Sequence, residues 1–196
     1  MRIAIINHCG NIRSVDCALH RLGIDPILTT DQHLLEQMDK IIFPGQGEAS
    51  STMEYLHKTR LDLFIKSWKK PIMGICIGLQ LMCKHSEEGD VEGLSIFNSE
   101  VKRFPVDNLD FKIPHMGWNT LSSINSPFLP KEIEGKYVYY VHSYYASLCE
   151  DTVAKTEYIV PFSAALQKGN FYATQFHPEK SGDIGERVLQ EWIEKS

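Results

Sequence analysis

One stretch limits what this chain can become: Pro71-Ile72-Met73-Gly74-Ile75-Cys76-Ile77-Gly78-Leu79-Gln80-Leu81-Met82. It opens as a short apolar run, the pattern of a strand buried on both faces of a parallel sheet. It closes with apolar residues at helical spacing. Between them lies Gly-x-Cys-x-Gly, the cysteine form of the Gly-x-Ser-x-Gly elbow. Such a turn holds its central residue in a strained backbone conformation. Glycines on either side remove the Cβ atoms that would clash. Cys76 is thereby set at a helix N-terminus, where unpaired N–H groups and the helix dipole favour a thiolate. Taken alone, the motif also fits an ordinary buried core cysteine.

The pattern before the elbow is strand–helix alternation. Residues 2–7 read as a strand. After Gly10 and Asn11, the latter a plausible N-cap, Ile12, Val15, Leu19 and Leu22 recur at helical spacing until Gly23. Residues 24–29 read as a second strand, Leu34 to Met38 as a short helix, and residues 40–43 as a third strand running into Pro44-Gly45-Gln46-Gly47. A helical stretch carries Met53, Leu56, Leu61, Phe64, Ile65 and Trp68. This alternation implies a mainly parallel central sheet with helices on both faces, a three-layer, flavodoxin-like α/β fold. In such sheets ligands sit beyond the carboxyl ends of the strands, where Asn11, Gly45 and Cys76 fall. After residue 85 the pattern changes. Residues 85–90 read as an acidic surface loop. The chain then reads mainly as strands over 99–104, 118–122, 136–141, 152–158, 162–167 and 171–176, closed by a helix over 183–194. At 196 residues, with no long linker, the expectation is a single domain over 1–196 with a β-rich second half.

Several functions are excluded early. A net charge of −5 with no basic cluster argues against nucleic acid and against an anionic membrane surface. No apolar run approaches the ~20 residues needed to span a bilayer, and residues 1–7 lack the form of a signal peptide. Five cysteines without a Cys-x-x-Cys pair suit a reducing cytoplasm. The eight histidines show no metal-ligand spacing, so neither a metal nor another cofactor is expected. Gly-x-Gly-x-x-Gly is missing after the first strand, which argues against a nucleotide site there.

An elbow cysteine needs a base, and the base needs a group that orients it. The segment Thr174-Gln175-Phe176-His177-Pro178-Glu179 ends the last strand. His177 and Glu179 stand two apart in an extended segment, so both side chains leave the same side. The carboxylate can hold one imidazole nitrogen while the other faces the thiol.

With these residues in place, the chain resembles the class I (triad) glutamine amidotransferases. The resemblance lies in Gly74-Ile-Cys76-Ile-Gly78-Leu-Gln80 and Gln175-Phe-His177-Pro-Glu179. Gly10-Asn11-Ile12-Arg13-Ser14-Val15, Pro44-Gly45-Gln46-Gly47, Pro114-His115-Met116-Gly117-Trp118-Asn119 and Tyr140-Val141-His142-Ser143-Tyr144 narrow it to the glutaminase subunits of imidazole glycerol phosphate synthases. The resemblance implies hydrolysis of glutamine to glutamate and ammonia, with Cys76 as nucleophile, His177 as base and acid, and Glu179 orienting His177. It implies oxyanion donors at Ile77 and at the peptide around Gly45 and Gln46. It places the substrate glutamine against Gly47, Gln80, Ser143 and Tyr144. It implies a (β/α)₈-barrel synthase partner in a heterodimer, which receives the ammonia directly and makes imidazole glycerol phosphate and an aminoimidazole carboxamide ribotide in histidine biosynthesis. Asn11, Arg13, Trp118, Tyr139 and Lys180 would line that interface or its gate. Three positions depart from the family pattern: Asn7-His8, where Asp-Tyr is common; Ser95, where a glycine is common; and Gln46, where a small apolar residue is common. They leave room for a paralogous glutaminase feeding another acceptor, such as a surface-polysaccharide sugar. A catalytically silent scaffold is the reading of another class.

Overall fold

The computed structural model describes residues 1–8, 12–45, 47–105 and 111–196. In chain order the strands and helices are β1 (Ile3–Ile6), α1 (Arg13–Arg21), β2 (Ile27–Thr29), α2 (Gln32–Glu36), β3 (Lys40–Gly45), α3 (Ala49–Thr59), α4 (Leu61–Ser67), β4 (Ile72–Cys76), α5 (Ile77–Leu81), β5 (His85–Ser86), β6 (Val91–Glu92), β7 (Glu100–Arg103), β8 (His115–Thr120), β9 (Tyr137–His142), β10 (Tyr144–Ala146), β11 (Thr152–Tyr158), β12 (Val160–Lys168), β13 (Phe171–Thr174) and α6 (Gly182–Lys195).

A seven-stranded sheet in the order β11-β12-β13-β4-β3-β1-β2 forms the middle layer. From β2 to β13 every neighbouring pair is parallel; β12 and β11 continue it antiparallel. The inner parallel strands are buried along their whole length, and apart from Lys40 at the start of β3 their sequences are apolar runs. Within β1 the side chains alternate between two cores. Ile3 and Ile5 pack with α1 and α6 on one face; Ala4 and Ile6 pack with α2, α3, α4 and α5 on the other. The C-terminal helix buries Val188, Leu189 and Trp192, with Ile184 and Ile193 packed at the margin. This is the three-layer architecture the strand–helix alternation predicts.

The β-rich half is divided. Three of its strands, β11 to β13, complete the central sheet. The others form a four-stranded sheet (β10-β7-β5-β6) and a two-stranded one (β8-β9). Several sequence-based boundaries move. The helical stretch between residues 53 and 68 is two helices, because Arg60 adopts a left-handed conformation (φ 60°) that ends α3 and starts α4. The second strand starts at Ile27, after Pro26, not at residue 24. Strand β8 starts at His115 rather than 118, and β10 is a strand that the sequence reading lacks. Residues 85–90 are not simply solvated loop. His85 and Ser86 pair with both β6 and β7, and Ser86 is buried.

Candidate active site

Cys76 ends β4 with φ 55° and ψ −107°, a conformation rarely adopted by a residue with a side chain. The flanking glycines are required by contact. A Cβ on Gly74 would stand 2.8 Å from the carbonyl carbon of Gly78. One on Gly78 would stand 2.1 Å from the carbonyl oxygen of Phe43 in the neighbouring strand. The elbow can turn because strand and helix backbones touch there. Its thiol is directed toward the Val141 carbonyl (3.9 Å) and receives the Gln175 amide Nε2–H at 3.7 Å.

His177 follows β13, whose neighbour in the sheet is β4, so base and elbow share one carboxyl edge. Glu179 Oε1 holds His177 Nδ1 at 2.7 Å, and the two side chains are 2% and 3% exposed. His177 Nε2 has no hydrogen-bond partner among the described residues, and neither has Glu179 Oε2. Burial pulls the His177 pKa down, but negative charge on Cys76 and the bond to Glu179 outweigh it, and the net shift is upward. The ring is therefore stabilised as an imidazolium whenever Cys76 is a thiolate. The backbone is fixed as well. His177 N–H donates to the Tyr139 carbonyl at 2.9 Å. The Ser181 hydroxyl donates to the His177 carbonyl (2.6 Å) and accepts from the Tyr139 N–H (2.9 Å).

A cavity of about 390 Å³ opens over the elbow. Among the predicted residues it is lined by Cys76, His177, Gly45, Gly47, Ile77, Gln80, Ser143, Tyr144, Tyr139 and Lys180. Gly45 lies in register with Cys76, and a Cβ on it would fall 1.7 Å from the Ile77 side chain. The Gly45 peptide thus sits against the first residue of α5. Gln80 is buried, and its Nε2 donates to the Tyr144 carbonyl (2.8 Å) and to Gln175 Oε1 (3.1 Å). Arg13 is apart from this cavity: it lines a second cleft of about 300 Å³ with Ser14, Cys17, Arg21 and Glu179. Trp118 is 55% exposed on the outer face of the β8-β9 pair, edge-on to Tyr139 with ring centroids 5.9 Å apart. Asn11 and Gln46 lie outside the described residues.

Sequence reasoning misses Glu88. It lies in the segment that reads as an acidic surface loop, yet it lines the cavity and accepts the Ala49 N–H at 3.1 Å. Burial raises its pKa, the Ala49 bond opposes this, and the charge of Glu48 adds to the rise. A single glutamate in a run of polar residues carries no periodic signal that would set it apart. Among the described residues no group of His, Cys, Asp or Glu could hold a metal ion.

A model of the class-I glutamine amidotransferase family matches residues 5–195. The imidazole glycerol phosphate synthase subunit HisH of Bacteroides thetaiotaomicron is 53% identical over 195 residues, covering 99% of this chain and all of that one. The subunit of the same name from Yersinia pseudotuberculosis is 38% identical over 188 residues, 95% of each chain. Among solved structures, a putative GMP synthase subunit from Thermoplasma acidophilum superposes with a TM-score of 0.75 at 19% identity, covering 98% of this chain and 92% of that one. A further glutamine amidotransferase gives 0.74 at 18%, covering 99% and 98%. At that identity the two structures speak for the fold; the family match and the full-length relatives speak for more: the chain belongs to the class-I glutamine amidotransferases, in the branch of the imidazole glycerol phosphate synthase subunit HisH.

Proposed function

We propose that this chain hydrolyses glutamine through Cys76, His177 and Glu179, and passes the ammonia to a (β/α)₈-barrel synthase bound as a heterodimer. One observation carries the reading. A strained elbow thiol and a carboxylate-held imidazole with a free Nε2 line the same cavity. Cys76 Sγ attacks the side-chain amide carbon of glutamine, and its proton goes to His177. The tetrahedral intermediate collapses, the C–N bond breaks, and His177 returns the proton to the leaving nitrogen as NH₃. A water then attacks the glutamyl thioester, His177 takes its proton, and glutamate leaves with the thiol restored. Glu179 holds the imidazole in orientation and stabilises its charged form.

The Ile77 N–H at the start of α5 and a peptide N–H around Gly45 and Gln46 serve as oxyanion donors. Removing one such donor costs ~2.7–4 kcal/mol in catalysis. Gly47, Gln80, Ser143 and Tyr144 hold the substrate, and the carboxylate of Glu88 on the cavity wall suits its α-ammonium group. The partner rests on the outer face of β8-β9, with Trp118, Tyr139, Lys180, Arg13 and Asn11 at the contact. Met116 (68% exposed) and Trp118 form an apolar face there that a partner would cover. The chain works as one domain in the cytoplasm. This agrees with free cysteines at 17, 76, 83 and 149, and with the finding that no helix among the described residues is long and apolar enough to cross a membrane.

The test is glutaminase turnover with and without the barrel synthase and its ribulosyl ligand, together with labelling by a glutamine-analogue electrophile. Wild type is expected to be labelled at Cys76 and stimulated by the liganded partner, and Cys76→Ala to show neither. Full turnover by Cys76→Ala would sink the reading.

A further inference from the structure

Two histidines that the mechanism does not use are buried beside the cavity. His115 on β8 and His142 on β9 face each other across the antiparallel pair, and both side chains point away from the exposed Trp118 face. His115 Nδ1 lies 3.1 Å from His142 Nε2, and His142 Nδ1 lies 2.7 Å from the Tyr144 carbonyl. A carbonyl oxygen only accepts, so His142 Nδ1 carries the proton. In a neutral ring Nε2 is then bare, and His115 Nδ1–H must donate to it. That leaves His115 Nε2 bare, facing the Asn119 Nδ2 donor at 3.4 Å. Each link has one donor and one acceptor, and the direction of the whole row is set by the Tyr144 carbonyl.

The rings are also fixed in plane. His115 is stacked between Tyr158 (centroids 3.9 Å) and Tyr140 (4.8 Å). Burial pushes the His115 pKa down to about 4. Burial pushes that of His142 down to about 3, against the bond to Tyr144 and aided by the nearby His115 and His177. Both rings are neutral at neutral pH, as the tautomer row requires.

The Tyr144 carbonyl is where this row meets a second one. Gln80 Nε2 also donates to it and to Gln175, whose own amide is directed at Cys76 Sγ. We propose that His142 is a positioning residue for glutamine: its Nδ1–H, with Nε2 taken up by the His115 Nδ1–H, fixes the Tyr144 carbonyl and so sets the wall against which the substrate is held. The role rests on the glutaminase reading above. It also ties the substrate wall to β8, the strand whose outer face carries Trp118.

Two variants separate this role from space filling. In His142→Asn the amide Nδ2–H reaches the place of Nδ1–H. In His142→Gln the amide reaches the place of Nε2, and the bond to Tyr144 is lost. Assayed in the complex with the synthase, His142→Gln is expected to raise KM for glutamine about 5- to 10-fold, as for loss of one buried hydrogen bond, with kcat within about 2-fold. His142→Asn is expected to bring KM back to within about 2-fold of wild type on the same principle. Equal KM in both variants, or an unchanged KM in His142→Gln, overturns the proposal. Nitrogen-resolved imidazole NMR on the wild-type protein guards against misfolded variants. Both rings should show Nδ1–H and a bare Nε2 at neutral pH, and an Nε2–H tautomer on either overturns the proposal. If Cys76→Ala is dead and His142→Gln has wild-type KM, the positioning role fails and the glutaminase reading stands. If Cys76→Ala turns over, both fail.

Discussion

Acid should destabilise this protein through its buried histidine pair, and the size of the effect follows from the site. His115 and His142 are held neutral in the fold, with pKa values pushed down to about 4 and about 3 from 6.5. The sign is that of a depressed base. Above 6.5 neither state binds the proton, and the stability from keeping the rings neutral is fully present. Below 6.5 the unfolded chain takes up protons that the fold refuses, and stability falls with pH. For each ring, integration between pH 7 and pH 5.5 gives a loss of about 1.2 kcal/mol, so the pair loses about 2.5 kcal/mol. The limiting slope for two rings is roughly 2.7 kcal/mol per pH unit. His8, half-buried against Phe43 and Tyr55 with its pKa lowered by burial, adds in the same direction. Glu88, whose pKa is raised by burial, and His177, whose pKa is raised by Cys76 and Glu179, act in the opposite direction and offset part of this loss; stopping at pH 5.5 keeps the Glu88 share small. The assay is urea unfolding followed by tryptophan fluorescence at half-unit steps, with the urea dependence checked for constancy. Against a total stability of about 5–15 kcal/mol, the loss is easily read. A change below about 0.5 kcal/mol over this window, well under what linkage requires of two excluded protons, would refute the neutral buried pair.

Three further outcomes can be checked independently. Glu88→Gln removes a carboxylate from the cavity wall and should raise KM for glutamine about 10-fold, a typical charged hydrogen bond, with little change in kcat; an unchanged KM would remove Glu88 from substrate binding. Gly78→Ala puts a Cβ 2.1 Å from the Phe43 carbonyl oxygen; it should destabilise the fold by about 2 kcal/mol or more and abolish turnover, read by thermal unfolding and glutaminase assay. Ser95→Gly should stabilise the fold by about 0.5–1 kcal/mol, because Ser95 is exposed and holds a left-handed φ of 54° that costs nothing for glycine; a lower melting temperature would contradict the strain argument.

The elements that are legible in the sequence are those fixed by local pattern. The apolar runs of β1, β3 and β4 announce strands buried on both faces. The glycines around Cys76 announce a backbone approach too close for Cβ atoms. His177 and Glu179 meet as the sequence predicts, but not as an extended pair: Pro178–Lys180 is a 3-10 turn, and that turn carries Glu179 onto the ring. What is not legible depends on contacts distant in sequence or on unsignalled backbone states. Nothing in the composition around Arg60 marks a helix break, since arginine ordinarily favours the helix that its φ of 60° interrupts. Glu88 becomes a cavity residue only because β5 pairs with β7 and turns the next residues toward α3. The His115–His142 contact requires the register of two strands separated by a long loop, and neither histidine carries a spacing signal. Asn11 and Gln46 fall outside the described residues, so the reading of the loops after β1 and β3 rests there on the sequence.

The neutral imidazole in the cavity wall bears on the fate of the product. Ammonia is useful to an acceptor only as the free base, and each proton it meets after leaving the amide turns it into inert ammonium. His177 supplies the one proton that completes NH₃. His142, which lines the same cavity, has its single N–H committed to the Tyr144 carbonyl and a conjugate acid far too strong to persist at neutral pH. On that side the chamber offers departing ammonia a surface with hydrogen-bonding groups but no labile acid, so the wall that holds the substrate also preserves the nucleophile made from it.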